Sequence, residues 1–408
     1  TLLCHAGVVC CLGRRWIRRR GDSDLVRESI ERTHDIAFNL IEDFLPQKNI
    51  VLPDFVVSEG KTEEEYLVEL SIAGLKEFKL EKKKEYVERL KEELHIIKDR
   101  GFCKYFLTMK QVSDKAQSIQ LAGPGRGSAA GSLTAYVLGI TQIDPLRWNL
   151  LFSRFLRKDA KDYPDIDFDI SDPMALKDVL IKEWGQDKVV PISNWNKLQL
   201  RSLIKDISKY YDIPWTEVNQ VTNIMLTEAI PLAKQEHGIK AGVYIPDFEE
   251  TMKYSESLQN FLKKYSNVKE HVEALKGQIR NCSRHAGGVV ISENLNRRMP
   301  LINSGGVVQT PWTEGQQTVI HLEPLGFIKF DVLGLASLRM IEGAIKLTLQ
   351  RHFGIADPAF KDVKEFYNKN LHPNVMNFND KKIWKNIFHK VSGQPGIFQL
   401  TQRGAQDL

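Results

Sequence analysis

Cysteine is scarce. The five in 408 residues are too few and too scattered for a disulfide framework, and Cys4, Cys10 and Cys11 lack the spacing of a zinc site. A reducing cytoplasm is the expected setting. Long apolar runs are missing as well: the N-terminal one stops at Leu12, too short to span a bilayer. It precedes Arg14, Arg15, Arg18, Arg19 and Arg20, the reverse of a signal peptide's order, and with no initiator Met the expectation is that Thr1 is a truncation point. There is no internal repeat and no low-complexity linker. Neither sign of charge dominates: 57 Lys and Arg against 52 Asp and Glu leave a net +5, compatible with a polyanionic partner without specifying one. At 408 residues the chain is long enough for two or three domains, and 42% of hydrophobic residues supports real cores.

Two short stretches carry the chemistry: Tyr163-Pro-Asp-Ile-Asp-Phe-Asp169 and Phe327-Ile-Lys-Phe-Asp-Val332. Side chains alternate along an extended strand, so Asp165, Asp167 and Asp169 share one face while Ile166, Phe168 and Ile170 share the other. The second stretch repeats the device, with Lys329 and Asp331 opposite Ile328, Phe330 and Val332. If the two strands are neighbours, their carboxylates converge beside a lysine. Carboxylates that close raise each other's pKa unless a hard cation neutralises them, so the pattern asks for magnesium. Charged edge strands that block aggregation use the same alternation, and that alternative stays open for the first stretch alone. An EF-hand does not fit, because its sixth and twelfth positions, Gly and Glu, would fall here on Ile170 and Leu176.

Around these stretches the pattern is α/β. Thr62 and Glu65 predict a capping box ahead of Leu67, Leu70 and Leu75. Tyr86, Leu90, Leu94 and Ile97 form a helical stripe whose charge run, Lys79 to Glu93, is expected to face solvent, and Gly101 is placed to end that helix. A strand is expected from Cys103 to Thr108. After the aspartates, Asp172 and Pro173 read as N-cap and first helical residue, with Gly185 as the stop. From about Asn196 to His285 the pattern turns almost wholly helical, with Leu200, Leu203, Ile204 and Ile207 and then a helix opening at Pro214 and Thr216. That block separates the two acidic stretches. Beyond it Leu338, Ile341, Ile345 and Leu349 mark another amphipathic helix.

Gly123-Pro-Gly-Arg-Gly-Ser-Ala-Ala-Gly-Ser132 runs into a helix-compatible segment, Leu133 to Leu138. Unpaired amides at such a helix entry, together with the helix dipole and the Arg126 guanidinium, favour phosphate. A small-residue turn that lets a helix approach a sheet is the structural alternative. Gly125-x-Gly127-x-x-Ala130 also fits a dinucleotide fingerprint, but the acid it requires would be Asp144, followed by Pro145 in a turn. No Lys-Ser or Lys-Thr follows the glycines, which excludes a P-loop.

Taken in order, the glycine segment, Gly139-Ile-Thr-Gln-Ile-Asp-Pro145, Leu151-Phe-Ser-Arg-Phe-Leu156, Pro164-Asp-Ile-Asp-Phe-Asp169, Arg284-His-Ala-Gly-Gly-Val-Val290 and Phe327-Ile-Lys-Phe-Asp-Val-Leu-Gly-Leu335 resemble the catalytic core of bacterial DNA polymerase III alpha subunits, the C-family replicative polymerases. The resemblance runs from about residue 30 to the end. It implies a palm of the polymerase beta-like nucleotidyltransferase fold (35–195 and 287–336), interrupted by a helical thumb (196–286) and followed by the start of helical fingers (337–408). Residues 1–34 would be the remnant of, or linker from, an N-terminal PHP domain. Asp165, Asp167 and Asp331 match the catalytic, metal-holding aspartates. Gly127 and Ser128 match the pair that holds the incoming triphosphate, and Arg126, Arg154 and Lys329 match its phosphate contacts. Asp169 matches an acidic position outside the catalytic three. Arg201, Lys205, Arg284 and His285 are expected to contact DNA. The implied cofactor is magnesium, two ions. The implied partners are primer-template DNA, deoxynucleoside triphosphates, a sliding clamp and other replisome subunits, with no membrane involved. Asn194-Trp195-Asn196 stands where the family tends to have Thr-Phe-Gly, which points to a divergent member of bacterial or phage origin. Gly396-Ile-Phe-Gln-Leu400 and Arg403-Gly404 resemble early fingers. A catalytically incompetent nucleic-acid-binding fragment of the same polymerase, and an NAD-type oxidoreductase, remain as alternatives.

Overall fold

The computed structural model describes residues 23–40, 49–159, 163–239, 242, 244–313 and 322–388. The Cys4, Cys10 and Cys11 region, the arginine run and the segments around Gly396 and Arg403 lie outside the described residues. The chain divides between Lys48 and Asn49 into two compact units. In the first, helix α1 (Ser23–Asp35) continues into a π-helical turn at Ile36–Leu40.

The second unit is a mixed α/β structure. Helix α2 (Glu63–Glu77) opens on the expected capping box: the Thr62 hydroxyl accepts from Glu65 N at 3.2 Å and the Glu65 carboxylate from Thr62 N at 2.9 Å. Helix α3 (Lys84–Asp99) stops just ahead of Gly101. The strand expected at Cys103–Thr108 is instead the first half of helix α4 (Cys103–Ile119). Tyr105, Phe106, Leu107, Thr108 and Met109 are all buried. A helix enclosed by protein is apolar all round, and over so short a run it leaves the same mark as a buried strand.

Helix α5 (Leu133–Val137) follows the glycine segment, strand β1 (Phe168–Ile170) follows the aspartates, and helix α6 (Pro173–Trp184) starts on Asp172, whose side chain accepts from Met174 N and Ala175 N. Strand β2 (Val189–Lys197) then leads into the helical block: α7 (Leu200–Tyr210), α8 (Trp215–Glu236), α9 (Phe248–Tyr254), α10 (Glu256–Lys264) and α11 (Ser266–Leu275). The block has a core of its own, including Leu203, Ile204, Val218, Met225, Phe248, Phe261 and Val272. It is not helical as far as His285. Strand β3 (Ile279–Ile291) begins just after it, and Asn194, Trp195 and Asn196 belong to β2. The polar segments of the two strands pair antiparallel as a ribbon, tied also by the Asn196 amide to Asn281 (3.0 Å) and Ser283 (2.9 Å). Outside a core a strand needs no apolar alternation, so this stretch carried no strand signal.

After β3 come α12 (Leu295–Arg298), the hairpin β4 (Ile302–Ser304) and β5 (Val307–Gln309), and strand β6 (Lys329–Gly334). The main sheet has the order β1-β6-β3-β2, with β1 parallel to β6 and the remaining pairs antiparallel. One face, including Phe168, Ile170, Val289, Phe330 and Val332, is packed into the main core with α4. On the other, Val190 and Val290 are covered by Leu295, Met299 and Phe327 at the β2–β3 end, whereas at the β6–β1 end that face presents Lys329, Asp331 and Asp169. Helices α13 (Ala336–Phe353) and α14 (Phe360–Asn370) pack on each other through Leu338, Ile345, Leu349, Val363 and Tyr367, and a short α15 (Lys381–Ile383) follows.

Gly287 lies where β3 crosses β6, and a Cβ there would stand 2.7 Å from the Val332 carbonyl oxygen. The obstacle is backbone, which cannot swing aside. Gly287→Ala is therefore expected to destabilise the second unit by about 1–3 kcal/mol, read as a lowered midpoint in urea. An unchanged midpoint would show that this crossing is not closely packed.

Candidate functional site

Ile166, Phe168 and Ile170 are buried while the intervening aspartates turn the other way, as strand alternation requires. Regular pairing begins only at Phe168, so Asp165 and Asp167 sit on extended chain just ahead of β1. The parallel register Phe168↔Val332, continued back one residue, sets Asp167 beside Asp331. Carboxylate oxygens of Asp165, Asp167 and Asp331 lie within 4.8 Å of one another, the first residue exposed, the second half-buried and the third buried. Asp169 is engaged elsewhere: its Oδ1 accepts from Arg126 Nη1 at 3.0 Å.

The electrostatics of this cluster suit a cation. Burial, reinforced by Asp331 and Asp169, raises the Asp167 carboxyl above the ordinary carboxylate range, against the opposing charges of Arg126 and Lys329. Asp331 Oδ2 meets Lys329 Nζ at 2.8 Å, but its buried Oδ1 has no hydrogen-bond partner among the described residues. Buried polar atoms are rarely left so, and a cluster of carboxylates is what a hard cation coordinates. The donor set therefore fits magnesium. Tyr105, stacked on Phe330 with 5.4 Å between ring centroids, is held protonated first by burial and then by the charge of Asp165.

The glycine segment packs against the same aspartates. Leu121 to Gly123 runs antiparallel to β1, with Gly123 N donating to Asp169 O at 2.7 Å and Ser171 N to Leu121 O at 3.2 Å. Gly127 opens a 3-10 turn (Gly127–Gly131) with φ +64°, and a Cβ there would stand 3.1 Å from Asp167 Oδ2. Both the backbone angle and the space ask for glycine. Arg126, just before it, reaches Asp169 and lies 4.0 Å from Asp167.

The helix entry beyond the turn is not open to phosphate. Glu93, completely buried, accepts from Leu133 N (2.9 Å), Thr134 N (2.8 Å), Ser132 Oγ (3.0 Å) and Thr134 Oγ1 (3.0 Å), so the protein itself supplies the anion at the α5 N-terminus. Arg89 Nε donates to Glu93 at 2.7 Å, and Arg89 Nη2 donates to the Gly131 and Leu150 carbonyls. The charge run of α3 is thus not solvent-facing throughout. Glu93 falls on the helix's apolar side, and its i, i+4 spacing from Arg89 was the signal that could have revealed a buried pair.

Of the other expected contacts, Arg154 is exposed at the end of a 3-10 turn (Phe152–Arg154). Arg201 Nε donates to Thr222 O at 2.8 Å, while Lys205 Nζ donates to Asn219 Oδ1 at 2.8 Å and lies 4.9 Å from the Trp215 ring centroid. These donors hold α7 to α8 rather than joining the acid cluster. Arg284 is exposed on β3, and His285 Nδ1 accepts from Gly287 N (3.2 Å) and Gly288 N (2.6 Å). Asp144, the acid a dinucleotide site would need, instead accepts from Tyr86 Oη at 2.7 Å and from the amides of its own turn. No described helix is long and apolar enough to cross a membrane.

Residues 65–334 match the family model for the bacterial DNA polymerase III alpha NTPase domain. The chain is also 31% identical over 412 residues to DNA polymerase III subunit alpha of Campylobacter jejuni, covering 94% of this chain and 32% of that protein. The corresponding figures for the Aquifex aeolicus subunit are 31% over 405 residues, 93% and 32%. For that of Halalkalibacterium halodurans they are 32% over 364 residues, 88% and 30%. The chain spans about a third of the length of these relatives. With a match across the glycine segment, both acidic stretches and the helical block between them, the chain belongs to the bacterial DNA polymerase III alpha family.

Proposed function

We propose that this chain is a DNA-directed DNA polymerase core, which adds deoxynucleotides to a primer 3′ end and releases pyrophosphate. The observation that carries the reading is the convergence of carboxylate oxygens of Asp165, Asp167 and Asp331 within 4.8 Å, together with a buried Asp331 oxygen that has no hydrogen-bond partner among the described residues. These three would hold two magnesium ions, which when bound neutralise the triphosphate and lower the pKa of the primer hydroxyl. The chain's own part is to bind and orient. The Gly127 and Ser128 amides, with Arg126, Arg154 and Lys329, take the triphosphate oxygens, so that charge developing on them meets fixed donors. Residues 35–195 and 287–336 act as a nucleotidyltransferase palm, 196–286 as a thumb and 337–408 as the beginning of fingers. The enzyme would work in the cytoplasm of a bacterium or phage-infected bacterium, beside a sliding clamp and other replisome subunits.

Primer extension tests this directly: a labelled primer-template, four deoxynucleoside triphosphates and Mg²⁺ should give extension that stops on chelation. Binding of the duplex without extension would instead favour an incompetent nucleic-acid-binding fragment.

The same reading predicts how DNA is held. A replicative polymerase accepts every template, so contacts from Arg284 and the helical block must go to phosphates, not bases. Each phosphate neutralised contributes about −0.9 to the slope of log affinity against log salt, so four to six contacts give a slope of roughly −4 to −5. Titrating labelled duplex at several salt concentrations checks this. A flat response, or a marked preference among unrelated sequences, would remove the helical block from the DNA interface.

A further inference from the structure

Lys177 is only 1% exposed, on α6 between Leu176 and Leu180, which are fully buried. A buried ammonium must be compensated, and this one is compensated by main chain. Its Nζ donates to the carbonyl oxygens of His285 (3.2 Å) and Ala286 (3.0 Å). Those carbonyls lie in an irregular part of β3. Ser193 pairs with Arg284 and Pro191 with Val289, so residues 285–288 of β3 bulge against Ile192 alone.

Inside the bulge His285 Nδ1 accepts the Gly287 and Gly288 amides, and Gly288 is the residue paired with Asp331. An unbroken run of contacts therefore joins the Lys177 ammonium to the backbone beside Asp331. Burial and the charge of Arg284 lower the Lys177 pKa to about 8, with Asp331 opposing, so the group is charged at neutral pH. The direct ion pair of Asp331 is with Lys329, whereas the Lys177 donors go to the bulge.

We propose that Lys177 is a positioning residue for the acid cluster: by clamping the bulge of β3 from α6 it fixes the strand against which Asp331 is set. The inference rests on the reading of Asp165, Asp167 and Asp331 as a cation site, and it adds a residue that touches neither cation nor substrate.

Lys177→Met keeps the aliphatic stem and removes the donors. In the 408-residue chain, with Mn²⁺ as the probe followed by electron paramagnetic resonance, the variant should bind the ion several-fold more weakly. Exchange of the Gly287 and Gly288 amides should accelerate by about tenfold or more, the loss expected for hydrogen bonds to a charged donor. A lysine acting through its charge alone would do the opposite to the ion, since removing a nearby cation tightens Mn²⁺ binding. Unchanged exchange, or unchanged or tighter Mn²⁺ binding, overturns the proposal. If Lys177→Met does not fold, Lys177→Leu, which also lacks a donor and suits an apolar site, is judged by the same two readouts. A wild-type chain that binds no Mn²⁺ would overturn the cation-site reading together with this inference. A wild type that binds Mn²⁺ and a variant that behaves identically would overturn this inference alone.

Discussion

Asp167→Asn is expected to abolish nucleotide addition, by more than about 10³-fold, while secondary structure and primer-template binding persist. Asparagine preserves the shape of the side chain, so the chain ahead of β1 and the contact with Gly127 should survive. What disappears is one negative charge of the three that converge within 4.8 Å. Burial first, and then the neighbouring Asp331 and Asp169, disfavour the charged form of Asp167, and a divalent cation among the carboxylates would supply the missing compensation. With one charge removed, the remaining carboxylates bind the ion less tightly and place it less accurately. Asp165→Asn should behave in the same way. Single-nucleotide incorporation measured beside circular dichroism and duplex binding separates these effects. Extension at the wild-type rate by either variant would sink the metal assignment.

Glu93→Ala should cost about 3–5 kcal/mol of stability, the penalty for removing one partner of a buried, hydrogen-bonded charge pair. The carboxylate is fully buried and collects donors from Ser132, Leu133, Thr134 and Arg89. Truncation leaves two backbone amides, two hydroxyls and a guanidinium without their buried acceptor, and it removes the anion from the α5 N-terminus. Because Arg89 also donates to the Gly131 carbonyl, the loosened segment is the one that carries Gly127 and Ser128. A loss of nucleotide affinity should therefore accompany the loss of stability. Glu93→Gln keeps acceptor capacity and should fall between wild type and alanine. Urea denaturation of the three proteins checks the order, and an alanine variant within about 0.5 kcal/mol of wild type would mean that the cap is not needed.

Much of the local structure was legible in the sequence because the forces involved act over a few residues. The Thr62–Glu65 capping box, the Asp172-Pro173 helix start and the burial of Ile166, Phe168 and Ile170 opposite three aspartates depend only on cap chemistry and on the two-residue period of a strand. Where partners come from far along the chain, periodicity had nothing to register. Cys103–Ile119 is a helix because sheet and neighbouring helices enclose it. Ile279–Ser283 is a strand because β2 lies beside it, not because it has a buried face. Lys177 looks like an ordinary solvent-facing charge until the β3 bulge is brought against it, and the partners of Glu93 at the α5 N-terminus lie about forty residues further along the chain. Types and alternation named four candidate carboxylates, Asp165, Asp167, Asp169 and Asp331, without separating Asp169 from the rest. That Asp331 stands beside Asp167 while Asp169 is turned to Arg126 was decided by the strand order β1-β6-β3-β2 and its register, since only tertiary pairing sets the distance between charges so far apart in sequence.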